Sequence, residues 1–163
     1  MNHIIDAIIL FFIFFSFAYS AYFFVNGRRI LSINLFATYF FTVALILFIF
    51  MFFQKDKLLI YPYFFRIISP LIYLLPPLGY LAYYYFFFPQ KKFNKLFLLL
   101  LLPCLFQYFE NLRFYMSDMD IKIREIKMYL ETGNLFKYSP QFIWINPLIH
   151  VYLKVFMYFF FSF

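Results

Sequence analysis

Six ionisable residues stand within or at the margins of otherwise apolar stretches: Asp6, Arg66, Glu110, Arg113, His150 and Lys154. A charge inside an apolar segment is expensive, and where one occurs it pairs, lines a cavity or serves a function. Glu110 and Arg113 are one helical turn apart, and His150 and Lys154 are spaced to share one helix face. Two chemistries fit these residue types. One is neutralisation in pairs, Asp6 with Arg66 and Glu110 with Arg113, with Lys154 reaching outward along its own stem. The other is a polar pocket walled by aromatics that recognises a small ligand or a lipid headgroup. His150 alone is weak ground for a pH switch. One Cys and two His without paired ligand spacing exclude a metal site.

Catalytic signatures are missing. There is no Walker lysine loop, GxGxxG, HExxH or GxSxG, and Gly27, Gly79 and Gly133 cannot build a phosphate-cradling loop. The expectation is therefore no enzyme and no cofactor. The single Cys104 lies in "LLLLLLPCLF", so no disulfide framework forms within the chain.

The elements that must position these groups are membrane-like. Hydrophobic residues make up 66% of the 163 positions and charged residues 13%. A soluble domain is about 45–50% apolar and about 25% charged, and so short a chain cannot bury this much apolar surface in a globular core. Codon bias can supply part of the abundance of Phe and Tyr. The segment "MNHIIDAIILFFIFF" lacks a basic n-region and a small-residue cleavage site, so it reads as a retained first span. Five segments reach the roughly 20 residues that cross a bilayer, at about 4–25, 30–53, 63–88, 96–115 and 142–163. The fold class is an all-α polytopic transmembrane bundle, one domain over 1–163.

The loops orient it. Arg28 and Arg29, then Lys91, Lys92 and Lys95, lie in loops without acid, whereas Lys55 and Lys57 flank Asp56. The positive-inside rule places the amino terminus outside and both basic loops in the cytoplasm. All six ionisable side chains then lie toward the outer leaflet. The net charge of +7 speaks for orientation and anionic lipid rather than nucleic acid.

Segment 117–131 predicts a short extracytoplasmic amphipathic helix. Ser117 and Asp120 form a capping-box pattern, Met119, Ile123, Ile126 and Leu130 form one stripe, and Gly133 supplies a stop. Asp118 with Lys122 and Asp120 with Arg124 are spaced as favourable ion pairs. A structural connector and a ligand-contacting lid are both open for this helix.

The third span, "RIISPLIYLLPPLGYLAYYYFFF", carries Pro70, Pro76, Pro77 and Gly79. A proline inside a helix removes a donor and costs about 3 kcal/mol. Membrane helices tolerate it when neighbours satisfy the carbonyls it frees. The expectation is a kinked helix, with Gly79 admitting a close neighbour.

The order of features resembles the membrane half of bacterial AraC-type transcriptional regulators. The residues carrying the likeness are Ser69, Pro70, Tyr73, Leu74, Pro77, Tyr80 and Leu81 in the proline-bearing span. To these are added the charged helix after the fourth span and the His150–Lys154 pair in the fifth. The likeness covers most of the chain, strongest from about 60 to 158. It implies a multi-span sensory domain in the bacterial inner membrane, signalling to a cytoplasmic helix-turn-helix domain. That domain and the last spans are not in this sequence. The expectation is thus a fragment without direct nucleic-acid binding, partnered by the bilayer and by a small ligand or lipid headgroup, and compatible with a homodimer. The competing reading is a small self-contained membrane protein, such as an accessory subunit or an export component.

Overall fold

The computed structural model describes residues 3–27, 30–53, 55–132 and 145–161. Arg28 and Arg29, Gly133 and the expected start of the last span at 142–144 lie outside the described residues. Those described are helical, with no strand among them. In order they form α1 (His3–Asn26), α2 (Leu31–Phe50), α3 (Lys55–Ile60), α4 (Ile68–Phe87), α5 (Leu102–Met116), α6 (Met119–Thr132) and α7 (Pro147–Phe161).

Three helical stretches are long and apolar enough to cross a membrane: Ile4–Asn26, Leu31–Phe50, and Lys95–Met116, of 23, 20 and 22 residues. At 1.5 Å per residue the shortest reaches about 30 Å, the thickness of a bilayer core. Their outward faces stay apolar. Phe14 of α1 is 75% exposed, and Leu102, Leu105 and Phe109 of α5 are each about half exposed. A helix facing water would carry polar residues there. The described part of α7, Leu148–Phe161, is apolar but shorter. α4 has the length without the apolarity, because prolines and five tyrosines (Tyr73, Tyr80, Tyr83, Tyr84, Tyr85) lower its mean hydropathy.

α4 is the central helix and packs against α2, α5 and α7, while α1 packs on α2. Small side chains let α1 and α2 meet closely. Ser16, Ser20, Ser32, Ala37, Thr42 and Ala44 are buried. The hydroxyls of Thr38 and Thr42 donate to the carbonyls of Asn34 (2.9 Å) and Thr38 (2.8 Å), so they need no partner across the interface. The turn between α1 and α2 depends on Gly27. A Cβ there would collide with the Ile33 side chain and lie 2.6 Å from the Phe23 carbonyl oxygen.

α4 begins at Ile68, later than the predicted span, because α3 and a 3-10 turn over Pro62–Phe64 fold back before it. Pro70 therefore falls in the first turn, where no backbone donor is required. Pro76 and Pro77 lie inside a continuous helix. The Ile72 carbonyl that Pro76 cannot reach accepts instead from the Tyr158 hydroxyl of α7, at 3.4 Å. The Arg66 carbonyl, four residues before Pro70, accepts from the Asn111 side-chain amide of α5, at 3.5 Å. Gly79 faces the Tyr39 ring of α2, and an added Cβ would stand 3.5 Å from it, an ordinary contact.

The run before α5 is a 3-10 helix over Lys95–Leu101. Pro103 has no N–H for the Leu99 carbonyl, and the Leu102 N–H takes that acceptor instead. Beyond α5, α6 docks on the end of the bundle. Leu58, Phe65, Phe114 and Ile126 form a small buried core there, with Phe53, Tyr115 and Tyr129 packed around it.

Half of the predicted apolar stripe of α6 faces inward, Ile126 in the buried core and Leu130 packed against it, and two charged residues join that face. Its buried residues are Lys122, Glu125 and Ile126. Met119 is exposed, and Ile123 lines a groove on another face with Asp120, Arg124, Lys127, Met128 and Glu131. The inward charges are met. Lys122 donates to the Ser117 carbonyl (2.7 Å) and lies 4.5 Å from the Tyr63 ring centroid. Glu125 pairs with Arg66 at 3.8 Å. Ser117 closes α5, its hydroxyl donating to the Phe114 carbonyl (2.8 Å), and α6 opens at Met119.

Candidate functional site

α5 is polar inside and apolar outside. Its buried residues are Gln107, Glu110, Asn111 and Phe114, spaced three and four apart on one stripe. That inverts a water-soluble helix and suits one whose apolar flank faces lipid. The stripe brings Glu110 against the start of α7 and the second turn of α4.

Glu110 is the hub. Its Oε2 lies 2.8 Å from Nε2 of His150 and accepts from the Gln107 amide at 3.0 Å. Its Oε1 accepts from the Ile145 backbone N–H at 3.1 Å. The His150 approach is off the N–H axis, so it acts as a charge contact more than as an aligned hydrogen bond. On its other side His150 meets Tyr73 of α4. The phenol oxygen is 2.9 Å from Nδ1 and 3.0 Å from the His150 carbonyl oxygen.

The His150 carbonyl can only accept, so the phenol hydrogen serves it or Nδ1 according to the imidazole tautomer.

Lys154, one turn beyond His150, extends to α4. Its Nζ donates to the Ser69 hydroxyl at 2.8 Å and sits 5.0 Å from the Tyr73 ring centroid, a cation–π distance. Tyr73 thus touches both basic residues of α7.

Of the six candidate residues, three come together: Glu110, His150 and Lys154. Arg66 stands two residues before α4, with Glu125 as its ion-pair partner and the Phe114 ring 4.9 Å from its guanidinium carbon. Asp6 had been the expected partner of Arg66; it stands in the first turn of α1, which packs on α2. Arg113, three residues beyond the buried Glu110 on α5, is exposed. Ser69, Tyr73, Gln107 and Glu125 complete the constellation and were not among the candidates. Gln107 and Asn111 carried a usable signal, polar residues at helical spacing from Glu110. Glu125 carried none, because charge on an amphipathic helix reads as solvated.

The cluster can hold a proton and a positive charge and can tie three helices together. Among the described residues no three His, Cys, Asp or Glu side chains gather to hold a metal ion. The chain matches no family model, no curated protein and no solved structure.

Proposed function

We propose that this chain is a membrane-embedded sensory domain, similar to the amino-terminal region of a membrane-bound AraC-type regulator and without catalysis. One observation carries the reading: the Glu110–His150–Tyr73–Lys154 constellation joins α4, α5 and α7 inside an apolar bundle. Ionisable groups inside an apolar bundle are a functional-site hypothesis by default. α4 and α7 serve as further spans, which makes five. α4 needs least apolarity because three helices shelter it. The amino terminus and α6 lie outside the inner membrane of a bacterium, and the loop with Lys91 and Lys92 lies inside.

Topology is tested by single cysteines in a Cys104→Ser background. Asp120→Cys reacts with an impermeant maleimide in intact cells, and Lys92→Cys reacts only after lysis; the opposite pattern refutes the orientation. Function is tested by transcript profiles of strains carrying wild type, Glu110→Gln or Lys154→Met at equal membrane abundance. A discrete regulon that shifts with the variants is expected. Unchanged transcripts would leave the cluster a structural element and remove the sensor reading.

A further inference from the structure

The Tyr73 phenol stands before two acceptors of one residue. Its oxygen is 2.9 Å from Nδ1 of His150 and 3.0 Å from the His150 carbonyl oxygen. A phenol has one hydrogen, so it serves one of them at a time. Nδ1 accepts that hydrogen only while it carries no proton of its own. Once protonated, Nδ1 donates to the phenol oxygen and the phenol hydrogen turns to the carbonyl. Both positions are within hydrogen-bond distance, so a proton can reach or leave Nδ1 without stranding a polar group on α4 or α7. A ring nitrogen that accepts from an amide loses that bond on protonation, because the amide cannot turn round; a phenol can.

The charges around the ring suit a second charge state. Among the described residues, Glu110 of α5 and Lys154, one turn along α7, are the charges that act on His150, and Tyr73 is the titratable group facing it from α4. Glu110 touches the ring, with Oε2 2.8 Å from Nε2. Lys154 is turned to the Ser69 hydroxyl at 2.8 Å, its Nζ 5.0 Å from the Tyr73 ring centroid. A carboxylate beside Nε2 draws the single hydrogen of a neutral ring to that nitrogen and leaves Nδ1 bare. The ring is not sealed off. Its side chain keeps 12% of its surface open, in the first turn of α7, and Asn146 and Ile149 beside it are exposed.

We propose that His150 is a reversible proton site, with Nδ1 as the atom that gains and loses the proton and the Tyr73 phenol as the part that turns. A proton from water adds to Nδ1 and the ring gains one positive charge opposite Glu110. The phenol O–H bond stays intact and only its direction changes. Uptake converts the α5–α7 contact from a carboxylate against a neutral ring into an ion pair, while the α4–α7 link is kept. The proton is thus the ligand of the cluster assigned to sensing; its use as a signal rests on that reading, and its binding does not.

The test uses the full chain in detergent micelles with His3→Gln, which leaves His150 as the one imidazole. Nitrogen and carbon NMR of isotope-labelled protein follows the ring and the Tyr73 phenol carbon over about pH 5–8, where an imidazole ordinarily changes charge. The ring is expected to titrate reversibly in the folded protein, with Nδ1 bare in the neutral form, and the Tyr73 signal to move with the same midpoint. His150→Gln should make the Tyr73 signal indifferent to pH. Glu110→Gln, whose amide can donate to Nε2, should shift part of the neutral ring to the Nδ1–H tautomer. The wild-type ring decides the point even if a variant does not fold. A ring that keeps one charge state throughout overturns the proposal, as does a neutral ring with its hydrogen on Nδ1 or a Tyr73 signal that ignores the ring's titration. Transcript profiles at external pH of about 5.5 and 7.5 read the signalling use separately. Unresponsive transcripts with a titrating ring leave the proton site standing and count against the sensor reading alone.

Discussion

The hydroxyl of Tyr158 on α7 donates to the carbonyl of Ile72 on α4, the acceptor that Pro76 four residues later cannot serve. A gap in one helix is thus filled by its neighbour, which is how prolines persist in membrane helices. At 3.4 Å the bond is long, so its strength lies at the low end of the usual range. Tyr158→Phe is expected to destabilise the protein by about 0.5–1 kcal/mol. Pro76→Ala supplies the missing N–H and makes the hydroxyl redundant, so Tyr158→Phe should cost less in that background. A double-mutant cycle on thermal unfolding in detergent reads the coupling; strict additivity would mean that the hydroxyl does not substitute for the missing donor.

Glu110 and His150 should act as a unit. Removing either member leaves the other's polar atoms buried, so Glu110→Gln and His150→Gln are each expected to cost about 3 kcal/mol or more. The double variant should cost clearly less than their sum, by about 1–3 kcal/mol. Independent losses of stability would contradict the hub role given to Glu110.

The two described glycines should respond in opposite directions. Gly79→Ala places a methyl at ordinary contact from Tyr39 and gains helix propensity, so neutrality or about 0.5–1 kcal/mol of stabilisation is expected. Gly27→Ala drives a Cβ against the Phe23 carbonyl, which is helix backbone and cannot move aside cheaply. Melting temperatures of the two variants settle it, and a stable Gly27→Ala would show that the α1–α2 turn rearranges.

α6 is held by Ile126 and by the inward charges Glu125 and Lys122. Glu125→Gln should raise amide hydrogen exchange across 119–132 while α1 and α2 keep their protection. Ile126→Ala should do the same and lower global stability by about 2–4 kcal/mol. Unchanged exchange in both variants would mean that α6 is held by something other than this face.

Much of the helical layout was legible in the residue order. Long apolar runs without charge read as helices of spanning length, and Gly27, Pro89 and Pro103 interrupt them. α1 and α2 follow their predicted bounds closely. The start of α4 did not, because the apolar "YFFRI" at 63–67 reads as part of the span, whereas Pro62–Phe64 forms a 3-10 turn and Phe65 packs in the small core under α6. The burial of Lys122 and Glu125 on α6 was hidden for a related reason. Hydrophobic periodicity assumes that charge points to solvent, and here Arg66 and the Ser117 carbonyl wait on the other side.

By itself, the sequence determined that helices long and apolar enough to cross a membrane would form, and the places where charge would be costly, because transfer energies belong to residue types and their runs. It also singled out Glu110, His150 and Lys154, since few ionisable groups interrupt those runs. Only the tertiary structure decided which charges meet. Pairing depends on helix rotation, and rotation is set by the sum of all contacts along a face, which no local spacing encodes. That sum turned Arg66 to Glu125 instead of Asp6, aimed Tyr158 at the carbonyl released by Pro76, and set Lys154 against Ser69.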